Sequence, residues 1–544
     1  MKEAAHMHIF SMTCKVDSVL DLFSAVEGRR TAVKWFKEHH ISKVYLETYR
    51  HKRYAGAELL RIVKDDFTAA GLEVAACITT TQMSKRVATW GITTCFTDPA
   101  AHDFLQEVVK RTASVFDLII LDDFFFSSCI CSFCEKDRNG RTWGDFRTDL
   151  LLNIARERVL LPARAVNKDV KLIIKYPLWY EGYYRVGYDV LRETELFDYT
   201  WVGTETREPD SGAAGRRPQT SASWIQAWMN DVSKGKCGGA WYDPIDTKPE
   251  TFLEQARQSI IGGARESLLH CYDYLATRTP GLAIHGKDLE IKNGLADAEV
   301  FRNEANSLQV LAETLSEMQP YGILLPKKAN DDSEKEAYLP SFAGMLGIPV
   351  VASASLKNSD AVFLGAQAGN FNGIDSYIEN ALRENKSLVV TSNFLNMIKA
   401  DLCKKLLSSC KVVQDDGEKV CVNDINESLT VLHCPSDLWD LMSLQQDELD
   451  RMRNKLLKPF RIEFFAPSRV SLHLFKSENS LCEIIENFND FPVSVCLKFN
   501  GKTKLVRSLK LVLPKKQSAT LAETDASYSV KLKPRSMALL SAIV

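Results

Sequence analysis

Nowhere does the chain hold an apolar stretch approaching the roughly 18 residues of a membrane-spanning helix, so no transmembrane segment is expected. Net charge is nearly absent: 68 Lys and Arg stand against 70 Asp and Glu, a balance of −2 at pH 7. No block of basic residues offsets that balance, which removes any general attraction to nucleic acid or to an anionic membrane. The N-terminal MKEAAHMHIFSMTC lacks a basic segment running into a long apolar one and does not read as a signal peptide. A chain already relieved of its leader would read the same. The expected location is therefore cytoplasmic, or periplasmic or secreted if a signal peptide was removed. Internal repeats, low-complexity segments, GxGxxG and P-loop patterns are missing, so a nucleotide site has no support and no organic cofactor is expected.

What is present is ordinary globular material. Hydrophobic residues make up 45% and charged residues 25% of 544, enough for a core, and a chain of that length holds two to four domains. Up to about residue 315, short apolar runs alternate with amphipathic helical stretches. The runs are HIFSMTC (8–14), KVYLETY (43–49), EVAACIT (73–79), FDLIILDD (116–123), KLIIKYP (171–177), YTWVGTET (199–206), GGAWYD (238–243) and SLLHCYDY (267–274). Strands buried on both faces read as continuous apolar runs, and alternation with helices such as GAELLRIVKDDFTAAG implies parallel pairing. Eight such units are the count of a closed (β/α)₈ TIM barrel; an open doubly wound sheet is the alternative.

The polar residues favour closure. Nearly every run ends in polar or aromatic groups: Glu47 and Tyr49, Thr80 to Gln82, Asp122 and Asp123, Tyr176 with Trp179, Glu205 with Arg207, Trp241 to Asp243, and Tyr272 with Asp273. The C-terminal edge of the strands is where a barrel places its active site. Beyond Pro320, YGILLP, IPVVAS, DAVFLG and SLVVTS alternate with helical segments and read as a small α/β domain with a parallel sheet. From about residue 460, RVSLHLFKS, LCEIIENF, VSVCLKF, LKLVLP, SYSVKL and MALLSAIV read as a small β-sandwich.

Fourteen cysteines in so long a chain are no disulfide scaffold, and Cys77, Cys237, Cys271 and Cys496 sit in apolar runs as small core residues. Cys129, Cys131 and Cys134 differ: they form CxCxxC just after the fourth strand, and Cys95 follows the third. Loops after adjacent barrel strands are neighbours, so four thiolates can converge. Four sulfurs suit tetrahedral Zn²⁺, and a closed four-ligand shell is structural.

On these residues the chain resembles glycoside hydrolase family 42, the barrel β-galactosidases of clan A. TTCFTDP and CICSFC match both parts of that family's zinc cluster, and ETFLEQARQSIIGGARESLLHCYDYL is similar to its helix leading into strand eight. The resemblance covers nearly the full length. It implies a catalytic barrel (1–318), a flavodoxin-like trimerisation domain (319–457) and a β-sandwich (458–544). It also implies structural zinc on Cys95, Cys129, Cys131 and Cys134, a homotrimer formed through residues 320–455, and exo action in a deep pocket partly closed by a neighbouring subunit. The catalytic positions depart from the family. Asp122-Asp123 stands where the family has Asn-Glu, Asp243 where it has a nucleophilic Glu, and Glu205 to Arg207 after strand six has no counterpart. The resemblance therefore implies architecture and broad chemistry in a distinct, related hydrolase family; galactose specificity does not carry over.

Glycosidic cleavage needs one protonated carboxyl to assist the leaving oxygen and a second, ionised one to attack the anomeric carbon or activate water. The candidates are Asp122, Asp123, Glu205 and Asp243. Two adjacent carboxylates at an apolar strand end should raise one pKa. Two assignments stay open: Asp123 as acid/base with Asp243 as nucleophile, or Asp123 as nucleophile with Glu205 as acid/base, similar to the α-galactosidase clan. Sugar rings stack on aromatics and meet polar groups through their hydroxyls. Glu47, Tyr49, Arg50, Tyr176, Trp179, Trp201, Arg207, Trp241, Tyr242 and Tyr272 are the expected substrate contacts. The expected activity is β-galactosidase-like removal of a terminal sugar, with an α-glycosidase-type enzyme or a non-catalytic carbohydrate-binding barrel as rivals. A metal-dependent hydrolase finds little support, since His270 is the only histidine in the later strands.

Overall fold

Eight of the apolar runs become parallel strands: β1 (Ile9–Cys14), β2 (Lys43–Arg50), β3 (Glu73–Ile78), β4 (Leu118–Leu121), β5 (Lys171–Tyr176), β6 (Tyr199–Gly203), β7 (Cys237–Tyr242) and β8 (Glu266–His270). Each pairs with its sequence neighbour, and β1 also pairs with β8, so the sheet closes into a (β/α)₈ barrel. The open-sheet alternative is thereby excluded. This computed structural model describes all residues except 1–6, 211–214, 278–281, 285–286, 290, 292, 408–419, 501–508, 514–518, 525–526 and 544. The chain divides into two compact units, one of residues 7–217 and 232–309, the other of residues 218–231 and 310–544.

Side chains alternate between the barrel interior and the helical layer with a period of two. Tyr45, Cys77, Ile120, Ile173, Trp201, Trp241 and Leu268 point inward and form one apolar cluster. Trp201 fits because Gly238 and Gly239 follow the first residue of β7. A Cβ at Gly239 would lie 1.9 Å from the indole Nε1, so no larger residue is tolerated there without moving the ring. Two residues further along five of these strands stand Glu47, Thr79, Asp122, Lys175 and His270, all buried. The period that builds the apolar layer therefore stacks a polar layer on its C-terminal side.

In the second unit, β9 (Ile323–Pro326), β10 (Val350–Ser353), β11 (Ala361–Leu364), β12 (Ser387–Thr391), β13 (Cys421–Asp424) and β14 (Leu429–His433) form one sheet. Its order is β10-β9-β11-β12-β14-β13, parallel except for the edge strand β13. The parallel part follows the flavodoxin-like order. Two antiparallel sheets follow between Ile462 and Ile543, as the spacing of short strands predicts. Helix Gln446–Leu457 links the parallel and antiparallel parts through Arg453. That fully buried guanidinium donates to the carbonyls of Leu346 (2.9 Å), Phe464 (3.2 Å) and Ala466 (3.1 Å) and to Asp450 (3.2 Å).

Replacing Arg453 with Met keeps the bulk but leaves these acceptors without a donor. Breaking so buried a set from one side costs about 3–5 kcal/mol. Arg453→Met should lower the unfolding midpoint of this unit in denaturant by a corresponding amount, and an unchanged midpoint would contradict the linking role.

Candidate active site

The polar layer is a charged network around one lysine. Lys175 Nζ lies 2.9 Å from Asp123 Oδ2, 3.3 Å from Glu205 Oε1 and 3.5 Å from Asp122 Oδ1. The ring of Trp241 sits beneath the ammonium, 4.2 Å from its centroid, and stacks in turn on His270. Asp122 also accepts from Arg50 Nη2 (3.1 Å), Thr79 Oγ1 (3.1 Å) and the Asp123 amide (2.8 Å). Glu47 accepts from Arg50 Nε (2.7 Å), Thr79 Oγ1 (2.6 Å) and the Val16 amide (2.9 Å). On the other side Arg207 grips Asp243 through two bonds, 3.0 and 2.7 Å, while the Ile245 amide reaches the same carboxylate at 3.0 Å.

Burial and charge push these carboxyls apart. Asp122 loses solvation, yet the Lys175 ammonium and the Arg50 guanidinium outweigh that loss and hold it well below the usual carboxylate range. Burial pushes Asp123 up to about 7; Lys175 opposes the shift, and the charges of Asp122 and Glu205 add to it. Glu205 is raised mainly by burial, against Lys175, with Asp243 adding to the rise. His270 is held far below its ordinary value by burial and by Arg50, so it is neutral. Asp122 and Asp123 are thus driven in opposite directions, so Asp122 stays ionised while Asp123 can keep a proton near neutral pH. The surrounding loops also carry left-handed backbone at non-glycine residues, namely His51, Lys52, Gln82, Trp90, Arg207 and Asp246.

The four candidate carboxylates thus meet, but they are not equally open. The Asp123 side chain is 19% exposed and Glu205 11%, against 4% for Asp243 and 3% for Asp122. Among the expected sugar contacts, Glu47, Arg50, Arg207 and Trp241 belong to this network. Trp179 is half-buried among Phe126, Tyr183 and Tyr188. Five others are corrected. Trp201 lies lower in the barrel core. Tyr49 faces Phe104 in the helical layer and donates to the Thr81 carbonyl, because a bulge between Glu47 and Tyr49 reverses the alternation of β2. Tyr176 turns outward to Tyr183, Tyr188 and Glu193, and Tyr242 turns outward to Phe252. Tyr272 follows the strand rather than ending it, in helix Tyr272–Ala276, and packs on Phe23, Trp35 and Phe36. Sequence reasoning missed Lys175 as a site residue. Its signal was available: it is the one charge inside KLIIKY after the strand's first residue, two places beyond the inward-facing Ile173.

At the rim, Cys95, Cys129, Cys131 and Cys134 place their sulfurs within 4.8 Å of one another, and this group can hold a metal ion. Three of the separations are 3.6, 3.7 and 3.9 Å. Tetrahedral zinc with Zn–S bonds of about 2.3 Å sets its sulfurs about 3.8 Å apart, so the donor set and spacing fit that ion.

A closed parallel barrel with buried carboxyls gathered at its C-terminal mouth has the architecture of a barrel enzyme. Residues 1–288 match the family described as probable glycosyl hydrolase, catalytic domain. The chain belongs to that family. An uncharacterized protein of Saccharolobus solfataricus is 24% identical over 386 residues, 62% of this chain, and the chain spans 59% of that relative's length. Among solved structures, a β-galactosidase from Rahnella sp. R3 superposes with a TM-score of 0.66 at 12% identity, covering 99% of this chain and 98% of the other. An α-L-fucosidase isoenzyme from Paenibacillus thiaminolyticus has a TM-score of 0.66 at 10% identity, covering 98% and 99%. A family 42 β-galactosidase from G. stearothermophilus has a TM-score of 0.64 at 10% identity, covering 100% and 99%. At these identities the likeness is one of fold, over the full length. Among the described residues, no helix is long and apolar enough to cross a membrane.

The raised Asp123 carboxyl has a consequence for stability. Its protonated form stabilises the folded state below the ordinary carboxylate range, and that contribution is lost as pH rises toward about 7. Asp123→Asn never ionises. It should raise the unfolding temperature relative to the parent, more at about pH 8 than at about pH 4, by a difference on the order of a few kcal/mol. A gap that does not widen with pH would refute the raised carboxyl.

Proposed function

We propose that the chain removes a terminal sugar from oligosaccharides or glycosides, in a β-galactosidase-like reaction with Asp123 and Glu205 as the reacting pair. The supporting observation is the shared ammonium. Lys175 brings both carboxyls to one point, and both keep an open edge. Asp243, closed by Arg207 and the Ile245 amide, supports that pair from the side rather than attacking the sugar. Asp123, with its carboxyl up near 7, is the proton donor to the leaving oxygen. Glu205, one methylene longer, reaches the anomeric carbon as the ionised partner. Carboxyls drawn to one ammonium favour the close spacing of retaining enzymes, about 5–5.5 Å, over the wider gap that leaves room for a water.

The rest of the reading follows the family 42 resemblance. Zinc on Cys95, Cys129, Cys131 and Cys134 is structural, tying the loops after β3 and β4 together. The chain works as a homotrimer through residues 320–455, with domains at 1–318, 319–457 and 458–544, and its partner is a carbohydrate.

A panel of aryl glycosides including β-galactosides and α-L-fucosides tests the reaction. The rate on the cleaved sugar should fall as pH rises above about 7, where Asp123 gives up its proton. Asp123→Ala should lose about 10²–10⁴-fold on poor leaving groups and far less on a dinitrophenyl glycoside, which needs no acid. Glu205→Ala should lose activity on both. Sugar binding without cleavage of any of the panel would favour the non-catalytic barrel. Elemental analysis should find one zinc per chain, lost in Cys134→Ser, and light scattering should find three chains per particle. Zinc-free protein or monomers would overturn those two parts.

A further inference from the structure

We propose that Lys175 is a positioning residue, an ammonium fixed on Asp122 that holds the Asp123 and Glu205 carboxyls together so that the pair carries one proton. The inference rests on the reading of Asp123 and Glu205 as the reacting pair and adds the device that readies them.

The first part of the argument is anchoring. Asp122 accepts from Arg50, Thr79 and the Asp123 amide as well as from Lys175, so it is fixed and charged. The ammonium has three N–H bonds, and Asp122, Asp123 and Glu205 are the three carboxyls around it. The indole of Trp241 closes the space below, and the side chain is 2% exposed. Lys175 therefore has no solvent to turn to, and its ammonium meets carboxyls alone.

The second part is the charge count. Arg50 bonds to both Glu47 and Asp122, and Arg207 is taken up by Asp243. His270, facing the same space from β8, is neutral. Lys175 is shared by Asp122, Asp123 and Glu205. Asp123 and Glu205 then have only this shared ammonium for a cation, and two carboxyls on one cation do not both ionise readily. One proton between them yields an acid and a carboxylate, the state from which glycosidic cleavage starts. Lys175 touches carboxyl oxygens only, so its effect reaches the sugar through Asp123 and Glu205.

Two measurements on Lys175→Met and Lys175→Arg test this. In Lys175→Met, kcat on a cleaved aryl glycoside should fall at least about 100-fold with KM within about threefold, and both limbs of the pH profile should move upward as the carboxyls lose their cation. Lys175→Arg should restore the limbs. Loss of rate with unmoved limbs would reduce Lys175 to packing and overturn the proposal. The second measurement needs no substrate: the unfolding temperature of Lys175→Met should fall below that of the parent by a gap that grows from about pH 5 to pH 8, because carboxyls with raised pKa lose stability as they ionise. A gap independent of pH would also overturn it. If the gap widens but the parent cleaves no glycoside, the reaction assignment fails and the role of Lys175 stands.

Discussion

Charges buried on top of an apolar layer persist only if each finds a partner, because an unpaired ion in such a place costs several kcal/mol. That constraint governs the mouth of this barrel. Lys175, Arg50 and Arg207 are the cations, and each is committed to a carboxylate that is itself held by backbone amides or hydroxyls. The network leaves little freedom, so the carboxyls proposed to react are held in place before any ligand binds. The stability given up to bury Asp123 is returned as a proton available near neutral pH.

The network exists because the barrel closes. Glu47, Thr79, Asp122, Lys175 and His270 come from five strands, and only a closed sheet points all five at one axis. The Trp201 and Trp241 rings below seal the lumen, which keeps water from entering beneath the charges. Trp201 is admitted by Gly239, so a residue without a side chain in β7 is part of the same arrangement. The loops that carry Glu205 and Arg207 then bring one open carboxyl and one strained, left-handed arginine to the rim.

Much of this was legible in the residues. Eight apolar runs mapped onto eight strands within a few residues, since long β-branched and aromatic runs bounded by polar edges have few other fates. The thiol cluster was readable from CxCxxC and Cys95 on adjacent loops. The carboxyls proposed to react were readable as acids at strand ends. The aromatic assignments were less so. Tyr176 and Tyr242 end their strands as expected but face the helices, because whether a terminal residue points in or out depends on strand parity. Tyr49 was misplaced by a bulge that sequence spacing does not reveal.

Composition, periodicity and the spacing of polar strand ends by themselves determined that the chain is a barrel followed by an α/β sheet and antiparallel sheets, with acidic residues at the barrel mouth. These are local properties: a run is apolar or not, and a residue follows it or not. Which carboxyl is open, which is saturated and which lysine joins them were decided only by the tertiary structure. Those properties depend on side chains from β4, β5 and the loop after β6 meeting around one ammonium, and on the burial that this meeting creates.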